Sequence, residues 1–153
     1  MRMLSMQGLD EIESTLAEHA TAPERRVAQR ALAHELTQMV HGVEAAAAAD
    51  EAAAVLFGGD PTTASAAALA AVAREVPSST MSSTGLDDLV GVFVGAGLAS
   101  SNGDARRTLQ QRGFRVNGVQ IDENTQLSDI ARLHGRYLLL RKGKANHHLI
   151  EIS

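Results

Sequence analysis

The sequence predicts an α+β protein, with an all-helical N-terminal module followed by a small mixed α/β domain. Three observations carry this. Apolar residues recur at helical spacing through an alanine-rich first half. A Ser/Thr/Pro/Gly stretch without apolar periodicity interrupts the chain at residues 76–85, and beyond it strict alternation around Asn117-Gly118 marks a hairpin. The expected boundaries are 1–76 for the helical module, 77–85 for a linker and 86–153 for the second domain.

Length and composition set the limits. A chain of 153 residues accommodates one domain or two small ones, and 44% hydrophobic residues is ordinary for a folded protein. The absence of cysteine excludes disulfides, thiolate metal sites and cysteine nucleophiles, and suits a reducing cytoplasm. No apolar run approaches the roughly 20 residues that span a bilayer, and residues 1–8 lack the charged and apolar regions of a signal peptide. A soluble, cytoplasmic chain is expected.

Leu9, Ile12 and Leu16, with Asp10, Glu11 and Glu13 where a helix dipole favours anions, predict a short first helix. Thr21-Ala-Pro-Glu24 has the form of a capping box with proline in the first turn. In the helix that follows, Ala28, Leu32, Glu35 or Leu36, and Met39 track one stripe, expected to be core. Gly42 marks a bend, after which residues 43–57 form a third helix, rich in alanine and stopped by Gly58-Gly59. Asp60-Pro61 reads as the cap and first residue of a fourth, carrying Leu69 and Val72 and ending before Pro77. His34 and His41, two helical turns apart, are too distant for one metal ion, and no carboxylate set completes a site, so no metal is expected. Thr80-Met-Ser-Ser has a faint likeness to a nucleotide-synthetase signature loop, but it lacks lysine and reads as coincidence.

After the linker, Leu86, Leu89, Val90, Phe93 and Val94 predict a buried helix opened by Asp87 and Asp88. Ser101, with Asp104 three residues on, caps the next. On that helix Ala105, Thr108, Leu109 and Arg112 gather inward, leaving Arg106, Arg107, Gln110 and Gln111 on a solvent arc. Phe114 and Val116 alternate with Arg115 and Asn117, which turns Arg115 away from the core, and Val119 and Ile121 resume the pattern after the turn. Two further strands fall at 136–140 and 147–152, joined by the basic turn Arg141-Lys-Gly-Lys-Ala-Asn146.

The net charge of −4 conceals an asymmetry. Residues 1–80 hold five Lys/Arg against eleven Asp/Glu, and residues 81–153 hold nine against seven. Four cations lie between Arg106 and Arg115 and four more between Arg136 and Lys144, enough for a local phosphate footprint; a merely solvated charged face explains the same pattern. Guanidinium groups bond phosphate in pairs, lysines add point charge, and a helix N-terminus adds N–H donors. The aromatics are few, namely Phe57, Phe93, Phe114 and Tyr137, and most fit core positions. Recognition of a duplex or folded RNA is therefore expected in preference to stacking of single-stranded bases.

Gly97-Leu-Ala-Ser-Ser-Asn-Gly-Asp-Ala-Arg-Arg107 with Gly113-Phe-Arg-Val-Asn-Gly118 resembles the RNA-binding domain first known from ribosomal small-subunit protein four, here the S-four type. Ala28-Gln-Arg-Ala-Leu-Ala-His-Glu-Leu-Thr-Gln-Met-Val-His-Gly42 and Leu56-Phe-Gly-Gly59 resemble the helical anticodon-binding region of bacterial tyrosyl-tRNA synthetases. Lys142-Gly-Lys-Ala-Asn-His-His148 is similar to their C-terminal end, and residues 4–12 to the segment after their catalytic domain. The resemblance implies tyrosine–tRNA ligation by an ATP-dependent homodimer joined through its catalytic domain. This sequence has no His-Ile-Gly-His-like or Lys-Met-Ser-Lys-Ser-like motif. It is expected to be the tRNA-binding C-terminal portion, inactive alone, starting at an introduced or internal Met1, with no cofactor of its own. ATP and tyrosine would bind the absent catalytic domain. The partner implied is tRNA(Tyr), held by its anticodon stem and long variable arm.

Carried over by motif, Ser101, Arg106, Arg107, Arg115 and Asn117 contact or frame RNA, with Gln110 and Gln111 on the same arc and Lys142 and Lys144 in support. Each has a structural rival: Ser101 as a helix cap, Asn117 as a turn former, Arg107 as a partner of Asp104 or Asp88. Two positions depart from the family pattern, with Asn102 where Lys or Arg is usual and Arg112 where glycine is usual. A free-standing S-four protein on ribosomal RNA would share the second half without needing the first. A protein–protein docking module would use the alanine-rich helices and leave Arg106 and Arg107 idle.

Overall fold

The computed structural model describes residues 9–21 and 26–153, without the side chains of Leu9 and Glu11. Of the expected Thr21-Ala-Pro-Glu24 cap only Thr21 is described, closing α1 with its hydroxyl donating to the Glu18 carbonyl at 2.8 Å; the rest of it, and the resemblance over residues 4–8, fall outside the described residues. The chain divides into two compact units, Met1–Asp50 and Glu51–Ser153.

In the first unit α1 (Leu9–Thr21) packs against α2 (Val27–His41), and α3 (Val43–Leu56) begins directly after Gly42, whose φ of +88° makes the expected bend. His34 Nδ1 bonds the Asp50 carboxylate, joining α2 to α3. The expected core stripe of α2 is buried at Ala28 but open at its other end, where Leu36 and Met39 are exposed. Periodicity says which residues share a face. It does not say how far along the helix a neighbour covers that face.

The second unit has three layers around a five-stranded sheet. The strands are β1 (Ser78–Met81), β2 (Phe114–Val116), β3 (Val119–Gln120), β4 (Tyr137–Lys142) and β5 (Asn146–Ile152), in the order β1-β5-β4-β2-β3. All neighbours are antiparallel except β1, which runs parallel to β5 with Ser78 opposite Leu149 and Met81 opposite Ile152. Successive side chains on a strand point to opposite faces. One face, with Phe114, Val116, Leu138, Leu140 and Ile150, receives α5 (Leu89–Gly95) and α6 (Asn102–Gln110) through Val92, Phe93, Ala105 and Leu109. Phe93 and Phe114 stack at its centre, centroids 4.0 Å apart. The other face, with Leu139 and Leu149, receives Val55 at the end of α3 and Leu69 and Val72 of α4 (Ala66–Glu75).

Three expectations change here. The expected linker at 77–85 holds β1 and a 3-10 turn, Ser83–Asp87. Its serines and threonines hid an edge strand, because such a strand needs no apolar alternation when its side chains are mostly exposed. Asp60 and Pro61 open a 3-10 turn, Pro61–Thr63, and α4 starts later, capped by Ser65 Oγ accepting from the Ala68 N–H at 3.1 Å. Asp60 is satisfied within that turn by the Thr62 hydroxyl and N–H, which hold its carboxyl below the usual range. The helix expected from Leu86 is split, with Leu86 in the 3-10 turn and Asp88 capping α5 through the Gly91 N–H at 2.9 Å.

Candidate nucleic-acid interface

α6 is fastened at its start by short polar side chains. Ser101 Oγ accepts from the Asp104 N–H at 3.2 Å, as expected of the cap. The return arm from Asp104 reaches one residue further back, to the Ser100 N–H at 3.1 Å, and also takes Lys142 Nζ at 3.1 Å. The Ser100 N–H above all, and then Lys142, hold the Asp104 carboxyl below its ordinary value. Ala105 and Leu109 anchor the inner side, and Arg106, Arg107, Gln110 and Gln111 are all exposed. Arg106 and Arg107 engage no partner among the described residues, since Asp104 is taken by Lys142 and Asp88 by the cap of α5. Gln110 Nε2 reaches Glu123 at 3.3 Å. Arg112, expected on the inner side, lies past the helix end in the left-handed region with φ +53°, where it faces Asp122 at 3.4 Å.

The remaining motif residues divide by what they touch. Asn117 is buried, at φ +50° in the hairpin turn. Its Nδ2 donates to the Ala131 carbonyl and its Oδ1 accepts from the Leu139 N–H, both at 2.8 Å. Of contacting or framing, framing is what this geometry permits. Lys142 is half-buried between Asp104 and the Phe114 ring, 5.7 Å from its centroid. Lys144 is exposed at the tip of the β4–β5 turn. Arg115 is exposed, but the pleat that buries Phe114 and Val116 against α5 and α6 turns Arg115 to the opposite face of the sheet, not beside the α6 arc.

Two features were missed. Arg141, read only as part of a basic turn, is the direct cross-strand partner of Arg115, and their register joins distant parts of the chain. Phe57, grouped with largely core aromatics, is 84% exposed. Its place in the Leu-Phe-Gly-Gly helix stop, past the alanine stripe, was the available signal.

Among the described residues no three His, Asp or Glu side chains are grouped to hold a metal ion. No helix among them is long and apolar enough to cross a membrane. Depressions of about 200 Å³ beside Ser79 and Tyr137 and about 260 Å³ beside His147 fall below the roughly 300–1,000 Å³ of small-molecule pockets. The chemistry on offer is thus a charged surface, suited to phosphate.

Residues 68–150 match the family model described as the tyrosine–tRNA ligase SYY-like C-terminal domain. The chain belongs to this family. Among curated tyrosine–tRNA ligases, that of Thermobifida fusca is 39% identical, over 95% of this chain and 35% of its own length. That of Streptomyces griseus is 40% identical over 100% and 36%, and that of Mycobacterium bovis 41% over 92% and 33%. The chain therefore spans about a third of the length of these ligases. A solved structure titled as the solution structure of a tyrosyl-tRNA synthetase C-terminal domain is 31% identical, covering 63% of this chain and 98% of that one, with a TM-score of 0.45. The family matched is a ligase C-terminal domain, whose model covers residues 68–150. The α6 arc and the β4–β5 turn both lie within the matched span.

Proposed function

We propose that this chain is the tRNA grip of a tyrosine–tRNA ligase, holding tRNA(Tyr) by its anticodon stem and long variable arm while a catalytic region elsewhere in the enzyme activates tyrosine with ATP. That enzyme is a cytoplasmic homodimer joined through the catalytic region. The observation that carries the reading is the exposed, unpartnered pair Arg106 and Arg107 on a capped helix of a ligase C-terminal domain. Gln111 and Lys144 extend the contact surface; Ser101, Asn117 and Lys142 hold its shape.

The test is binding of a tRNA(Tyr) transcript to the chain across a salt series. Affinity is expected to fall steeply with salt, with a log–log slope reduced by about two in the Arg106→Ala, Arg107→Ala variant, at roughly 0.9 per phosphate contact. Circular dichroism of that variant is expected to match wild type, since neither side chain packs. Equal affinity for a tRNA without the long variable arm would sink the tyrosine-specific version. Salt-independent association with protein partners instead of RNA would favour a docking module.

A further inference from the structure

On the sheet face away from α6, Arg115 of β2 and Arg141 of β4 stand directly opposite each other. Like charges so placed destabilise a sheet. Neither has a carboxylate partner among the described residues. Arg115 Nη1 donates to the Gly118 carbonyl at 3.0 Å, while Arg141 donates from Nε to the Gly143 carbonyl at 2.7 Å and from Nη2 to the Lys144 carbonyl at 3.4 Å. Backbone carbonyls orient both guanidiniums without neutralising them.

The connector after α3 lies against Arg141 and against the hairpin turn whose Gly118 carbonyl Arg115 bonds. A Cβ on Gly58 would sit 3.4 Å from Arg141 Nη1, and one on Gly118 would sit 3.3 Å from Pro61 Cδ. With φ at +101°, Gly58 makes the turn that brings the connector into contact with the guanidinium. The residue before it is Phe57, the most exposed of the large apolar side chains among the described residues.

Phe57 is exposed and precedes in sequence the glycine that meets the Arg141 guanidinium, and an open aromatic face beside an un-neutralised cation matches a single nucleotide, which offers a π-face and a phosphate. We infer that Phe57, Arg141 and Arg115 form a site for one unpaired nucleotide of the bound RNA, its base stacked on Phe57 and its flanking phosphate held by the arginines. The inference rests on the tRNA-binding reading above and deepens it. It places a base-stacking contact on the sheet face opposite the α6 arc, so that one RNA is held from two sides.

The protein has no tryptophan, so Phe57→Trp supplies a single tryptophan at the site, read by selective excitation of the indole over Tyr137. With a tRNA(Tyr) transcript as probe, its emission is expected to be quenched at saturation. Phe57→Ala is expected to weaken binding about tenfold with the salt slope unchanged. Arg141→Gln is expected to lower that slope by about one. Phe57→Tyr keeps wild-type affinity. Wild-type affinity in Phe57→Ala together with unquenched Phe57→Trp overturns this site and leaves tRNA binding standing. Failure of the wild-type chain to bind the transcript overturns both. Weakened binding accompanied by a lowered melting temperature makes Phe57 structural, and overturns the site as well.

Discussion

Asn117 joins three stretches of the second unit through one side chain and its own N–H: the hairpin turn, the carbonyl of Ala131, and both backbone groups of Leu139. Its left-handed backbone favours Asn or Gly over other residues. Asn117→Ala would strand the buried Leu139 N–H and force alanine into that conformation. The expected loss is about 2–4 kcal/mol in urea unfolding. A stability loss under 1 kcal/mol would mean that water replaces the amide. Of the two roles that resemblance offered Asn117, contacting or framing RNA, the geometry supports the frame that positions its neighbours. Ser101 follows the same logic at the start of α6, where its cap was legible because Ser and Asp act on backbone groups within four residues.

At the scale of elements, legibility followed sequence distance. The α6 cap, its exposed arc, the Asn-Gly hairpin and the two later strands all depend on near neighbours, and all were readable. β1 was not, because its strand character comes from pairing with β5 some seventy residues later. The Arg115–Arg141 pair and the exposure of Phe57 were hidden for the same reason. β5 also carries two buried histidines. Burial lowers the affinity of His147 for a proton, opposed by the Ala145 carbonyl and reinforced by the charge of Arg141. Burial does the same at His148, opposed by the Ala96 carbonyl, with Nε2 2.9 Å from Ser79 Oγ. Both rings take up a proton at lower pH in the fold than in the unfolded chain, where the ordinary value is about 6.5. The unfolded state therefore binds more protons below that value, and stability rises with pH there. The melting temperature is expected to drop as pH falls from about 7.5 to 5.5, and to drop again below about pH 4, the ordinary aspartate value, as Asp104 is protonated and loses Lys142. A melting temperature flat between pH 7.5 and 5.5 would show the rings to be solvated.

For the molecule as a whole, the division falls inside α3, not in the Ser/Thr stretch. α4 fills one face of the sheet and β1 completes its edge, so a polypeptide of residues 86–153 lacks both and uncovers Leu139 and Leu149. It is expected to aggregate or remain unfolded, while residues 51–153 unfold cooperatively in a single thermal transition. Cooperative unfolding of 86–153 with near-wild-type secondary structure would show the linker reading to be sufficient after all.

The strand order carries one more implication, in time instead of space. β5 is flanked on both sides, by β1 and by β4, yet it is the last of the five strands to be synthesised. During translation β1 waits without a neighbour, an open edge beside an unfinished apolar layer, until the final strand arrives to bridge it to the hairpins. Closing that long loop is slow compared with local helix formation. The second unit therefore folds after its synthesis is nearly complete, and a ribosome that stalls even a few codons before β5 releases a chain that cannot form its sheet.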